Sequence, residues 1–228
     1  MLVPVETDSA PAPNSDPVAL AAQADLSRLY EVVVAPALLQ VAEPPGLDLS
    51  GFIEPLVVAP AWPAEGWDGA AASVLAYSPA GWMLDTVRQA LLAECHRGFA
   101  LMLGATFERQ VRAWLCVLSP SRAAEIEAAL REPLWNIVRD LTTVDVAQLP
   151  LARVLEELWE LVSAMRHGSG RAMRRLTVLA PHLWPWPGPT LNNRLPDPEI
   201  SGDDLRRYYG ATMAFWGRVG ATPPMGVA

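Results

Sequence analysis

Apolar residues recur at steps of three and four along most of this chain. From Pro150 onward, Leu151, Val154, Leu155, Leu158, Val162 and Met165 keep that rhythm and predict one helix with a single buried face. Gly168 stops it, Ser169 can cap a successor, and "RAMRRLTVLAPHL" reads as a second helix. Earlier, Asp16 offers an N-cap and Pro17 a first helical position for "VALAAQADLSRLYEVVV". Ser78 and Pro79 repeat that signal. The pattern after them stays helical to Leu118, as one long helix or two in series, with Gly98 and Gly104 as weak points.

In the second half of that stretch Phe107, Val111, Trp114, Leu115 and Leu118 form a stripe, while Glu108 and Arg112 face away at ion-pair spacing. Pro120 and Pro133 each open a shorter helix. Ser201 and Asp204 resemble a capping box before a last helix with Leu205, Tyr208, Tyr209, Met213 and Trp216 on one side. Convincing strand alternation is absent, so the pattern predicts an all-α fold, a helical bundle with a loop-rich N-terminal extension.

Residues 1–16 show no period and are expected to be a flexible tail. Residues 17–228 read as a single helical domain: an N-terminal helix and loop-rich lobe over 17–77, then a bundle core over 78–218. Between Pro36 and Tyr77 short apolar runs alternate with Pro, Gly and Trp, which predicts loops and short elements. "WPWPGPTLNNRLPDP" is too rich in proline for regular structure and is expected to strap the core as an extended segment.

Composition narrows the function classes. The 228 residues carry 51% hydrophobic and 18% charged side chains, a packed globular mixture. A net charge of −8 argues against broad attraction to polyanions but leaves room for a local basic patch. Every basic residue is arginine, which reads as compositional bias. Cys95 and Cys116 give neither a disulfide framework nor metal-ligand spacing and suit buried thiols in a reducing compartment. No metal or cofactor is implied. The N-terminus has no signal-peptide pattern, and the most apolar run, "VVVAPALLQVA", falls short of the roughly 20 residues of a membrane span. The expectation is a cytoplasmic protein with no membrane partner.

The candidate chemistry lies in "SAMRHGSGRAMRRL". At 100° per residue His167 falls about 160° from Leu151, opposite the apolar stripe. Glu156, Glu160, Ser163 and His167 climb that polar side at steps of four, three and four, so all are expected to be exposed. A carboxylate two turns from an imidazole cannot bond it within one helix, so a site using His167 and Glu160 as catalytic residues needs another helix or a partner chain. His167 can move protons at neutral pH, while Arg166, Arg171 and the cap at Ser169 can hold a phosphate. The same residues also meet a purely structural demand: cations offset a helix C-terminal dipole, and Gly-Ser-Gly makes a turn. His96 lies mid-helix beside Cys95 with no shared metal geometry, and His182 caps or packs at a helix end.

Three segments together, "FERQVRAWL", "LWELVSAMRHGSGRAMRRL" and "DDLRRYYGATMAFWGRV", resemble the bacterial HEPN-like helical domains, over roughly residues 79–218. In that family a helix ending in a polar residue, two variable residues and Lys-His-Gly precedes a short turn and another helix. Ser163 stands at the polar position and Arg166 at the lysine. The resemblance implies a helical bundle, often a homodimer, that acts on RNA as a metal-independent endoribonuclease in phage-defence and toxin systems. Active members carry an arginine between one and two turns before the histidine. Here Glu160, Leu161 and Val162 fill those positions, so either Arg166 or Arg171 supplies the cation, or the chain is a non-catalytic protein-interaction or regulatory subunit.

Overall fold

The computed structural model describes residues 16–42, 79–142, 144–167, 170–185 and 197–221. Among the described residues every regular element is helical and none is a strand, as the periodicity predicts. Residues 1–15 of the expected tail, residues 43–77 of the expected lobe, the expected cap Ser78, the expected stop Gly168 with Ser169, and residues 186–196 of the proline-rich segment lie outside this set.

Helix α1 (Pro17–Ser27) begins as the cap signal predicts, with the Asp16 carboxylate accepting from the Val18 N–H at 2.8 Å. It does not end before Pro36. A π-helical segment, Arg28–Val34, follows directly and passes into α2 (Ala35–Ala42), with the Ala35 N–H reaching the Tyr30 carbonyl. Pro36 lacks an N–H, and its ring would crowd the carbonyl four residues back in a regular helix. The widened turn ahead of it accommodates both, so the loops expected from residue 36 start no earlier than residue 43.

Helix α3 (Pro79–Leu118) is one uninterrupted element of 40 residues, about 60 Å long at 1.5 Å per residue. A 3-10 turn at Pro120–Arg122 leads into α4 (Ala123–Ala128), and α5 (Arg131–Thr142) starts two residues ahead of the proline expected to open it. Helices α6 (Ala152–His167) and α7 (Gly170–Leu179) flank the histidine turn. The 3-10 turn Pro181–Leu183 and helix α8 (Gly202–Gly220) complete the bundle. The capping box at α8 is formed, with the Asp204 N–H donating to Ser201 Oγ at 3.1 Å and the Ser201 N–H to Asp204 Oδ2 at 3.0 Å.

The core forms where α3, α6 and α8 meet. Phe107, Val111, Trp114 and Leu115 of α3 are buried, while Leu118 is only half-buried. They pack with Leu158 and Leu161 of α6 and with Tyr208, Phe215 and Trp216 of α8. Phe107 meets Phe215 edge to face at 5.2 Å between ring centres, and Trp114 meets Trp216 likewise at 5.7 Å, geometries that add to area burial. Trp184, at the start of the expected strap, packs on this core.

Helix α6 is packed by α3, α7 and α8 together. That position corrects the expectation of one exposed face. Glu160 is 6% exposed and Glu157 is 2% exposed, because the sides a lone amphipathic helix would show to water are covered by neighbours. Burial of two carboxylates on one helix requires paired cations, and their partners define the surroundings of the site.

Candidate functional site

His167 closes the last turn of α6 and stays exposed, as expected. It lines a cleft of about 130 Å³ with Ser163 and Arg166 of its own helix, Gly104, Glu108 and Arg112 of α3, and Leu130 and Arg131 at the head of α5. Three separate elements therefore place polar groups around the predicted histidine, although the sequence singled out only one of them.

The electrostatics turn on Glu108. Its Oε1 accepts from Arg112 Nε at 3.2 Å and Nη2 at 2.9 Å, and its Oε2 accepts from Arg166 Nη1 at 3.2 Å. The predicted Glu108–Arg112 pair is formed but does not face away from the molecule. The Arg112 side chain is 15% exposed, and its other donors reach the carbonyls of Ile126, Glu127 at 3.2 Å and Ala129 at 2.7 Å. Those carbonyls lie at and just past the end of α4, where acceptors lack helical partners and a cation is favoured.

The remaining candidates separate. Glu160 does not line the cleft; its Oε1 lies 3.4 Å from Arg131 Nη1 and 3.3 Å from Arg175 Nη2, joining α5 and α7 across α6. Arg131 also donates to Glu156 at 2.7 Å. Arg171 is exposed on α7 and is not among the residues lining the cleft. The structure thus brings His167 and Arg166 together, adds Arg112, Arg131 and Glu108, and leaves Glu160 and Arg171 elsewhere.

A second polar cluster went unread in the sequence. Glu157 Oε1 accepts from the Tyr208 hydroxyl at 2.6 Å, and Glu157 Oε2 accepts from Arg207 Nη1 at 3.0 Å. Arg207 Nη2 is bonded to Glu157 Oε1 as well, and lies 3.1 Å from Asp204 Oδ1 and 3.0 Å from His182 Nε2. Glu157, His182 and Asp204 offer atoms within 4.8 Å of one another, a donor set able to hold a metal ion. The guanidinium of Arg207 bonds to all three and supplies the central positive charge itself.

Burial and proximity shift the groups around this cluster. Burial pushes the Tyr208 hydroxyl up, with the Glu157 hydrogen bond adding to it. The Glu157 hydrogen bond raises Arg207. Burial also pushes the Asp204 carboxyl up. The Ser201 hydroxyl and N–H, the Arg207 guanidinium and His182 outweigh that effect and hold Asp204 below the usual carboxylate value. Nearby, burial lowers His96, only partly offset by the Ile200 backbone hydrogen bond and the Asp204 charge. Separations of 50 residues between Glu157 and Arg207 and 25 between His182 and Arg207 left no local spacing that could have revealed the cluster.

The chain was compared with known proteins at three levels: no family model matches it, and no curated protein and no solved structure does so either. Among the described residues no helix is long and apolar enough to cross a membrane.

Proposed function

We propose that this chain is a HEPN-like, RNA-directed helical protein whose His167 cleft acts in metal-independent endoribonuclease chemistry, completed by a second copy of the chain. The observation that carries this reading is the convergence of His167 and Arg166 with Arg112 of α3 on one cleft. Imidazole is the side chain suited to take the proton of a ribose 2′-hydroxyl and return one to the leaving oxygen at neutral pH. Planar guanidinium groups match the charge that develops on the phosphate oxygens. In this reading Arg166 meets the phosphate, Arg171 and the start of α7 with Ser169 extend the contact to flanking phosphates, and Glu160 acts as a positioning residue that ties Arg131 and Arg175 in place. The test is incubation of the purified protein with structured RNA and with tRNA, with and without chelator. Cleavage insensitive to chelator and abolished in His167→Ala supports the enzyme; no cleavage, or cleavage unchanged by that substitution, sinks it.

A second reading has its own observation. Leu130 borders the cleft while 78% exposed, and Glu108 already neutralises charge on Arg112 and Arg166. An apolar side chain beside a self-paired polar cleft suits a helical interaction or regulatory subunit that keeps the fold without the chemistry. Expression with its genomic neighbours tests it: a monomer that co-purifies with nothing removes its support.

A further inference from the structure

We infer that Arg112 and Arg166 form a phosphate-binding pair in which the Glu108 carboxylate holds the place of the ligand, and that an incoming phosphodiester displaces Glu108. The inference deepens the RNA-directed reading of this cleft and rests on it for the identity of the ligand.

The geometry supports each part. Glu108 spans the two guanidiniums with both carboxylate oxygens, Oε1 toward Arg112 at 2.9 Å and Oε2 toward Arg166 at 3.2 Å. The Nε and Nη2 donors of Arg112 converge on Oε1, a two-donor presentation that a phosphate oxygen meets equally well. Arg112 is fixed from behind by the carbonyls of Ile126, Glu127 and Ala129, so its donors keep their direction when the carboxylate leaves. The other two members are better placed to move: Glu108 is a long side chain, and Arg166 is 41% exposed.

Charge favours the exchange. Within this trio two arginines and one glutamate leave one net positive charge, in the cleft that His167 also lines. A phosphodiester brings two non-bridging oxygens to the same donors that the two Glu108 oxygens now occupy. Glu108 is therefore a built-in competitor that raises the ligand concentration needed to occupy the site. It also keeps two arginines compensated in the absence of ligand, where like charges at close range would repel. This assigns Arg112 to the ligand, a role no local spacing around the histidine could have suggested.

The test measures binding to the full chain of two probes, inorganic phosphate and a single-stranded 2′-deoxy oligonucleotide, which lacks the hydroxyl that a ribonuclease needs. In Glu108→Gln the competing charge is gone and affinity for an anionic probe rises roughly tenfold at low salt. Arg166→Ala, at a partly exposed position, lowers affinity in both the wild-type and the Glu108→Gln background. Tightening for the oligonucleotide supports a nucleic-acid backbone as ligand, and tightening for phosphate alone supports the same pair with a free phosphate. Unchanged or weaker binding of both probes by Glu108→Gln, or binding indifferent to Arg166→Ala, overturns the inference. Loss of RNA cleavage activity does not bear on these measurements, so the pair and the proposed enzyme fail separately.

Discussion

Replacing Gly98 by alanine and Gly104 by alanine, one at a time, sets a local preference against a tertiary contact on the same helix. Both glycines lie in the interior of α3, where alanine is favoured over glycine by about 1 kcal/mol. At Gly98 an added Cβ meets no atom within 4 Å, so the preference acts alone and Gly98→Ala gains about that much. At Gly104 the same methyl would sit 2.3 Å from Val162 Cγ2 and 3.3 Å from Leu158 Cδ1, where α3 presses on α6. Val162 is β-branched within a helix and holds one χ1 rotamer strongly, so it cannot swing aside without strain.

Overpacking of a well-filled contact costs about 1–3 kcal/mol, and a 2.3 Å approach lies at the severe end. After the propensity gain is subtracted, Gly104→Ala is expected to lose about 1–2 kcal/mol, placing the two variants about 2–3 kcal/mol apart. Urea unfolding followed by tryptophan fluorescence reads the difference as opposite shifts in midpoint with the slope unchanged. A Gly104→Ala protein as stable as Gly98→Ala would mean that α3 and α6 do not approach as described. The cleft beside His167, which Gly104 helps to line, would then lose its geometric basis.

The remaining predictions concern polar groups. Asp16→Ala removes the N-cap of α1 and leaves the buried Trp114 Nε1 without the carboxylate it reaches at 2.7 Å. The cost is about 2 kcal/mol by chemical denaturation, and Asp16→Ser, which keeps the cap alone, recovers part of it. Arg207→Ala strips the buried Glu157 of its cation and costs about 3 kcal/mol; the Tyr208 hydroxyl that still donates keeps the loss at the low end, and Arg207→Lys recovers only part because one ammonium cannot reproduce the fork. Acid lowers stability in two stages. His96, held below the ordinary value of 6.5, contributes stability that is complete above that pH and lost as pH falls toward its folded value. Asp204 behaves the same way below 3.8, so melting temperatures of His96→Gln across pH should lack the first decline and keep the second.

Local signals were legible wherever their cause was local. The Asp16 cap, the Ser201 capping box and the apolar stripe through Phe107 and Trp114 involve neighbours within a turn or two, and each is present. The polar side of α6 was misjudged because helical angles describe one helix against one partner. Glu160 lies opposite the apolar stripe, but Arg131 and Arg175 reach it from α5 and α7, and that position is buried while His167 on the same side stays exposed. The helix was expected to stop at Pro36 because a proline is read against an α-helix, while the chain enters it from a π turn. Half of the cleft was invisible for a simpler reason: Arg166 and Glu108 are 58 residues apart, and no pattern along the chain relates them.

Helix α6 organises both polar regions through one device. Glu156, Glu157 and Glu160 pair respectively with Arg131 of α5, Arg207 of α8 and Arg175 of α7, while Arg166 pairs outward to Glu108 of α3. Each bond reaches a different helix, so the rotation of α6 about its axis is fixed by charge as well as by packing. A rotation that moved His167 away from Arg112 would also strand Glu157 and Glu160 in the interior, where an unpaired carboxylate costs several kcal/mol. The arginines, read in the sequence as compositional bias, have a physical use here, because Arg112 and Arg207 each serve three or more acceptors at once. A lysine at either position could satisfy fewer of them, and the orientation of the histidine turn would rest more heavily on apolar packing and the remaining pairs.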